Sequence, residues 1–230
     1  MKTFKPIFKT KTSFIVLIFL FLYQISSGQN ESEKIITGEK IILRSEVLNE
    51  DRTILISFPR TFTDSENEYP VLYLLDGRNH FAQASGAVDY LMRQRYCPEI
   101  IVVAVVNVDR NRDFTPSHNG QAPTGGGEKF HSFLENELLP LMEENFKASG
   151  YNILMGHSLG GMFAAYSLAE HPGVFDSYIA VSPYLQYDDE FVVKRILIFD
   201  DHAILKADNS KRSYPDIRID DSTDFEIWGV

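Results

Sequence analysis

The chain is poor in cysteine, in long apolar runs and in positive charge. Cys97 is its only cysteine, which excludes an internal disulfide and a cysteine-based metal site. The formal net charge of −10 argues against nucleic acids and anionic membranes as partners. Neither low-complexity segments nor internal repeats interrupt the sequence. With 44% hydrophobic and 23% charged residues, the composition is that of an ordinary globular chain.

The N-terminus differs from the rest of the chain. Residues 1–12 hold four lysines and no acid, an apolar core runs from Phe14 to Tyr23, and the small residues ISSG follow. This order predicts a secretory signal peptide over residues 1–28, with a secreted or periplasmic protein. A membrane anchor is the alternative, but the apolar core is much shorter than the roughly 20 residues of a span, so we expect no stable membrane insertion. Residues 29–230 are predicted to form a single domain.

The remaining sequence alternates between β-rich runs and helical patterns. Two short runs, 40–46 and 52–58, predict an antiparallel pair. Later apolar runs are continuous, which is typical of strands covered on both faces of a parallel sheet. They are 71–77, 99–108, 151–157 and 175–183, and the helical patterns between them are 81–95, 127–147 and 159–170. Pro140 should kink or split the second helix. We therefore predict an α/β fold with a mostly parallel sheet opened by an antiparallel hairpin.

Residues 151–163 read YNILMGHSLGGMF and place a G-x-S-x-G pattern where a strand gives way to a helix. A serine on such a turn is held in a strained conformation with its hydroxyl exposed. Gly156 and Gly160 are expected because side chains there would collide across the turn. Ser158 is therefore the candidate nucleophile. The alternative is an ordinary serine that caps the following helix.

An oxyanion hole beside Ser158 needs two N–H donors. One is expected from Leu159, the residue after the nucleophile, and the other from Gly77 or Arg78, which follow the strand that Asp76 closes. The N-terminus of the helix after Ser158 adds partial positive charge where an oxyanion would develop. An ordinary Asp-Gly turn is the alternative for the second segment.

Several segments together resemble one family. They are EDRTILISFPRTF, YPVLYLLDGRNHF, EIIVVAVVNVDRNRDFTPSH, GGGEKFHSFLENELLPLMEENF and NILMGHSLGGMFAAYSLAEHPGVFDSYIAVSPYL, which run in order over residues 40 to about 190. The chain resembles the esterases of the α/β-hydrolase superfamily, the group of esterase D-like and enterochelin-esterase-like enzymes. The resemblance implies an α/β-hydrolase fold, a nucleophile at Ser158 and hydrolysis of a small-molecule or glycan-linked ester, with no cofactor and no metal.

The resemblance also implies an R-x-R-D-x-T-P loop over the active-site edge. Its residues here are Arg110, Arg112, Asp113, Thr115 and Pro116. We interpret these charges first as a loop held by its own salt bridges, with a substrate contact from Arg110 as the alternative.

The order of a hydrolase triad is Ser, then an acid, then His, and this chain departs from it. His171 lies twelve or thirteen residues along the helix that Ser158 begins, which is roughly 18–20 Å away at the helical rise. His202 either follows a strand ended by Asp200 or Asp201, or lies on the surface of a helix from Asp188 to about 206. The helix is favoured.

Four other histidines precede Ser158. His80 and His118 lie in loops at the predicted active-site edge, and we interpret them as solvent or substrate-rim contacts. His157 is expected to point away from the serine side, and His131 to face outward from its helix. None fits the triad order.

Residues 188–230 form an atypical tail, and the fold is predicted to be truncated at its C-terminus or to continue in a shifted reading frame. Two functions therefore remain open. One is a secreted serine esterase whose base is unassigned, and the other is a non-catalytic α/β-hydrolase-like protein that lacks the triad histidine.

Overall fold

A computed structural model of the protein describes residues 36–121 and 123–196. The elements below all lie within one compact unit, which begins at Thr37. The predicted signal peptide, the carboxyl candidates at 200 and 201, and His202 fall outside the described residues. No helix within the described ranges has both the length and the apolar character that a bilayer crossing requires.

Among the described residues, six strands form one sheet. They are β1 (Glu39–Ser45), β2 (Glu50–Ser57), β3 (Tyr69–Leu74), β4 (Ile101–Val105), β5 (Ala148–His157) and β6 (Ser177–Val181). The spatial order is β1-β2-β4-β3-β5-β6. The pairs β1–β2 and β2–β4 are antiparallel, whereas β4–β3, β3–β5 and β5–β6 are parallel. The predicted α/β architecture with its antiparallel opening is confirmed.

Helices connect the parallel strands. They are α1 (Gly77–Arg93), α2 (Arg110–Phe114), α3 (Gly127–Phe133), α4 (Leu139–Asn145) and α5 (Leu159–Glu170). Helix α1 begins four residues before the predicted start, directly after β3. Gly77 allows this because a Cβ there would lie 2.8 Å from the Val105 carbonyl oxygen, so only glycine lets the helix start this close to β4.

The helix predicted over residues 127–147 is divided next to Pro140, where a π-helical turn separates α3 from α4, so the predicted split takes the form of a change in helix type rather than a gap. Residues Leu134–Leu138 form one π-helical turn between α3 and α4, in which the Leu139 N–H donates to the Leu134 carbonyl. Proline has no N–H to give to the carbonyl four residues back. A wider turn directly before Pro140 redistributes the hydrogen bonds without breaking the helix.

The 107–127 loop is tied to the sheet by buried charge. Arg52 on β2 is fully buried and its Nη1 donates to Asp113 Oδ2 at 2.7 Å. Arg112 forms ion pairs with Glu50 and with Asp113. The predicted salt bridges therefore exist, but they fasten the loop to β2 as well as to itself.

Four phenylalanines bring α2 against the helix that follows the serine. Phe114 of α2 packs on Phe163 of α5 with ring centroids 5.7 Å apart, and Phe130 of α3 packs on Phe163 at 5.2 Å. Phe133 contacts Phe130 in the same group. All four rings are buried, so this cluster fixes α2 beside the N-terminal half of α5.

Residues 191–196 are helical, but the helix does not begin at Asp188 as predicted. Asp188, Asp189 and Glu190 have φ angles of 48°, 53° and 59°, which a right-handed helix cannot contain. Ser117 of the 107–127 loop holds this turn. Its hydroxyl donates to Asp188, and its carbonyl accepts from the Tyr187 hydroxyl.

Candidate active site

Ser158 is the single residue between β5 and α5, and its backbone is strained. Its φ and ψ angles are 55° and −116°, a region that L-residues rarely occupy and that costs about 1–3 kcal/mol. The Ser158 N–H donates to the Val181 carbonyl at 3.0 Å, and the Ser158 carbonyl accepts from the Tyr184 N–H at 3.0 Å. These two bonds to β6 and the residues after it hold the turn in that conformation.

Glycine is required on both sides of the turn. A Cβ at Gly156 would lie 2.9 Å from the Gly161 nitrogen and closer still to the Gly160 carbonyl, so β5 and the start of α5 meet backbone to backbone. A Cβ at Gly161 would lie 3.0 Å from the Val181 carbonyl oxygen. The expected crowding at Gly160 is weaker, because its nearest neighbours would be 3.4 Å away. The crowded pair is therefore Gly156 and Gly161.

Ser158 does not act as an ordinary helix-capping serine. Ser158 occupies the N-cap position of α5, yet its side chain makes no capping hydrogen bond. A capping serine accepts from the N–H groups of the first helical turn. The half-exposed Ser158 side chain leaves those N–H groups without a cap.

The predicted oxyanion donors lie at the N-termini of two helices. Leu159 is the first residue of α5, and Gly77 and Arg78 are the first two residues of α1. The first N–H groups of a helix have no acceptor within it, and the helix dipole makes them attractive to an anion. Both helices follow neighbouring parallel strands, β5 and β3, so these N-termini lie at the same edge of the sheet.

Asp76 separates β3 from α1 in a left-handed conformation, with φ 55° and ψ 40°. It is almost fully buried and gives α1 no side-chain cap. Its carboxylate instead accepts from Arg110 at both oxygens, from Nε at 2.8 Å and Nη2 at 3.0 Å, and from the Asn107 amide. Arg110 is thus bound by a buried acid. The sequence indicates Asp76 and Arg110 as site residues but not their contact, because they come from two different loops.

Ion pairs between Arg112, Glu50 and Asp113 hold the part of the 107–127 loop that follows Arg110. Burial alone would raise the pKa of Glu50, but hydrogen bonds and charges from Arg112 and Arg52 outweigh it and hold that pKa below its usual value. The hydrogen bonds that Arg112 donates to Glu50 are also the main reason that the pKa of Arg112 is raised. These groups stay ionised at neutral pH and bind each other.

His131 is fully buried, so the prediction that it faces outward is wrong. Its Nε2 lies 3.0 Å from the Ser167 hydroxyl of α5, and its ring stacks on that of His171. Burial, reinforced by the facing His171, lowers the pKa of His131 to about 4. The apolar residues of α3 indicate only one buried side of that helix. In the structure α5 also covers the side that carries His131, which the sequence pattern does not show.

His171 ends α5 at the opposite end from Ser158. Its Nε2 lies 3.0 Å from Glu128, which also accepts from the Tyr166 hydroxyl at 2.7 Å. His171 is therefore engaged at the far end of the helix, in agreement with the expectation that it is not the base.

Among the residues that the structure describes, three further histidines lie near the sequence segments predicted to form the active-site edge. His80 lies in the first turn of α1, and its ring meets that of exposed His157 edge to face, with centroids 6.0 Å apart. His118 lies against Gly125, where a Cβ would approach the imidazole to 2.8 Å. Within residues 36–121 and 123–196, no three His, Cys, Asp or Glu side chains are grouped to hold a metal ion.

Comparison with known proteins gives the family. Residues 45–226 match the family described as Putative esterase. The chain belongs to this family. Ferri-bacillibactin esterase BesA of Bacillus subtilis is 30% identical over 194 residues, covering 74% of this chain and 66% of BesA.

Two further relatives lie in the same group. The Siderophore triacetylfusarinine C esterase of Aspergillus fumigatus is 26% identical over 173 residues, covering 68% of this chain and 59% of that enzyme. The crystal structure of an IroE-like serine hydrolase from Shewanella oneidensis is 32% identical with a TM-score of 0.65, covering 74% of this chain and 57% of that one. The chain thus spans less than two thirds of the length of each of these proteins, BesA included.

Proposed function

We propose that this protein hydrolyses carboxylic esters with the Ser158 hydroxyl as nucleophile. The observation that carries the proposal is the serine turn itself. The backbone of Ser158 is strained. Its side chain does not cap α5, although Ser158 occupies the N-cap position of that helix. Membership of an esterase family supports the same reaction.

In the proposed reaction, Ser158 Oγ attacks the ester carbonyl and the carbonyl oxygen becomes an oxyanion. The N–H groups of Leu159 and of Gly77 or Arg78 stabilise this charge, aided by the dipoles of α5 and α1. The alcohol leaves, and water then releases the acid from the acyl-serine. A base must accept the Ser158 proton, and the proposal assigns that role to no described residue.

Siderophore esters are the proposed substrates. BesA and the Aspergillus fumigatus enzyme are both named for ester hydrolysis of siderophores. We further propose that the protein is exported, because residues 1–28 have the charge, apolar core and small-residue end of a signal peptide. Comparison of the N-terminal sequence of the exported protein with the encoded one tests the second point.

The reaction is tested with purified protein and its Ser158→Ala variant. The substrates are p-nitrophenyl butyrate and a triester siderophore, and thermal unfolding of both proteins controls for folding. We expect hydrolysis by the wild type and loss of at least about 1,000-fold in the variant, as for other serine nucleophiles. Equal rates in the two proteins contradict the proposal.

A non-catalytic role is the second candidate. It is favoured by one observation: among residues 159–196, His171 is the only histidine, and it is bound to Glu128 at the far end of α5. A fluorophosphonate probe separates the two candidates. Rapid labelling that disappears in Ser158→Ala supports an activated serine, whereas wild-type labelling no faster than that of free serine supports the non-catalytic role.

A further inference from the structure

The carboxylate of Asp76 is buried immediately before the predicted oxyanion donors of α1. Only 3% of Asp76 is exposed, and a buried charge is tolerated only when it is paired and hydrogen-bonded. A Cβ at Gly160, in the first turn of α5, would lie 3.4 Å from Asp76 Oδ2. The same carboxylate therefore lies close to the first turns of both α1 and α5.

Arg110 is the cation that meets this carboxylate, and it also touches the serine turn. Two of its nitrogens donate to the two oxygens of Asp76. The Nη2 group additionally donates to the carbonyl of His157, the residue before the serine, at 3.4 Å. One planar guanidinium thus joins the turn after β3 to the turn after β5.

We propose that Arg110 is a positioning residue that holds the Asp76 turn and the Ser158 turn in one fixed arrangement and neutralises the carboxylate between them. This role rests on the proposed function, since it concerns the donors that face the oxyanion. A bidentate guanidinium suits the role because its five N–H donors are fixed in one plane.

The charge of Arg110 matters as much as its geometry. An unpaired carboxylate beside two helix N-termini would occupy the positive potential that an oxyanion needs, and it would repel the oxyanion itself. With Arg110 and Asn107 bound to Asp76, both helix N-termini keep their N–H groups for another anion.

Three variants separate charge from geometry. Arg110→Gln is expected to lower kcat for p-nitrophenyl butyrate by about 100-fold with little change in KM, because the displaced donors bind the oxyanion, which forms only in the transition state. Arg110→Lys, which keeps the charge and loses the fork, should recover part of that loss. Asp76→Asn in the Arg110→Gln background should recover about tenfold by removing the unpaired charge.

Arg112→Gln is the matched control. Arg112 lies on the same helix α2, is similarly exposed and also binds a buried acid, Asp113. Its contacts hold the loop to β2 and do not reach either turn. We expect its kcat to stay within about threefold of the wild type even where its thermal stability falls.

Amide hydrogen exchange tests the link between the turns without any activity. The reporters are the amides of Asn79 and His80, bonded to the Asp76 carbonyl, and those of Ser158 and Met162, bonded to Val181 and Ser158. In the full-length Arg110→Gln protein both pairs should exchange at least about tenfold faster, and in Arg112→Gln neither should.

The outcomes distinguish this inference from the proposed function. Unchanged exchange at both reporter pairs in Arg110→Gln overturns it, as does equal acceleration in Arg112→Gln. A KM increase with unchanged kcat also overturns it and makes Arg110 a substrate contact. Equal hydrolysis by wild type and Ser158→Ala contradicts the proposed function alone, and the exchange comparison then still decides whether Arg110 links the turns.

Discussion

The rings of His131 and His171 are stacked, with centroids 3.8 Å apart and 18° between their planes. His131 lies in α3 and His171 directly after α5, so the stacked pair joins these two helices. Two carboxylates, those of Glu128 and Glu135, and two hydroxyls, those of Ser167 and Tyr166, lie beside the pair. Two imidazoles this close repel each other if both are positively charged.

Stability is expected to fall on acidification because His131 is held neutral. Its pKa is about 4 in the folded protein against 6.5 ordinarily, so between these values the unfolded state binds a proton that the folded state does not. Stability is then fully present above about pH 6.5 and is lost as the pH falls towards 4, by about 1–3 kcal/mol. Urea unfolding at a series of pH values measures this slope.

His131→Phe is the control for that slope. Phenylalanine is apolar and the site is lined by Phe163 and Phe175, so the variant should still fold. Its stability should depend less on pH between 6.5 and 4. An unchanged slope in the variant would place the titrating group elsewhere.

Ser158→Gly is expected to stabilise the protein by about 1 kcal/mol. Glycine adopts the φ of 55° without the strain that serine bears there, which exceeds the entropy that glycine adds to the unfolded chain. Ser158→Ala keeps the strain and should leave the unfolding free energy within about 0.5 kcal/mol of the wild type. Equal stabilities for the glycine and alanine variants would mean that the turn stores no strain.

Gly156→Ala is expected to destabilise the fold by about 3 kcal/mol or more, since its Cβ would meet the backbone of Gly160. Gly86 provides the matched control, because it lies within α1 with no atom near its would-be Cβ. Gly86→Ala should stabilise by about 0.5–1 kcal/mol. Chemical denaturation of both variants checks the difference in sign.

Arg52→Met is expected to cost about 3 kcal/mol. It leaves Asp113, which is 1% exposed, without its fully buried partner. Arg44→Met is the control, because Arg44 and its partner Asp51 are both more than half exposed, and such pairs contribute little. If the two variants lose equal stability, the buried pair is not what anchors the loop to β2.

The strands and the serine turn follow from the sequence because their signals are local. β3 and β4 are buried along nearly their whole length, as continuous β-branched and aliphatic runs predict. The glycines around Ser158 indicate from the sequence alone that backbone segments approach closely there. The positions of the strands along the chain were therefore largely predictable, whereas their order in the sheet was not predicted.

The contacts that complete the site were not predictable, because they join distant segments. Arg52 looks like an exposed strand residue until Asp113, 61 positions later, lies against it. Asp76 and Arg110 are 34 positions apart. His131 is buried beneath α5 and Phe175. A single sequence records residue types at these positions but not which of them meet.

The π-helical turn at Leu134–Leu138 has a consequence for the core. The buried side chains Phe130, Leu134, Leu138 and Met142 recur strictly every four residues. In a regular α-helix each such step drifts by about 40° around the axis, so the last would have rotated well away from the first. The under-wound turn takes up that drift and keeps the stripe straight. Because a π-helical turn holds one residue more than an α-helical turn, deleting one residue within it would restore a regular α-helix, and the side chains from Leu139 onwards would keep their directions.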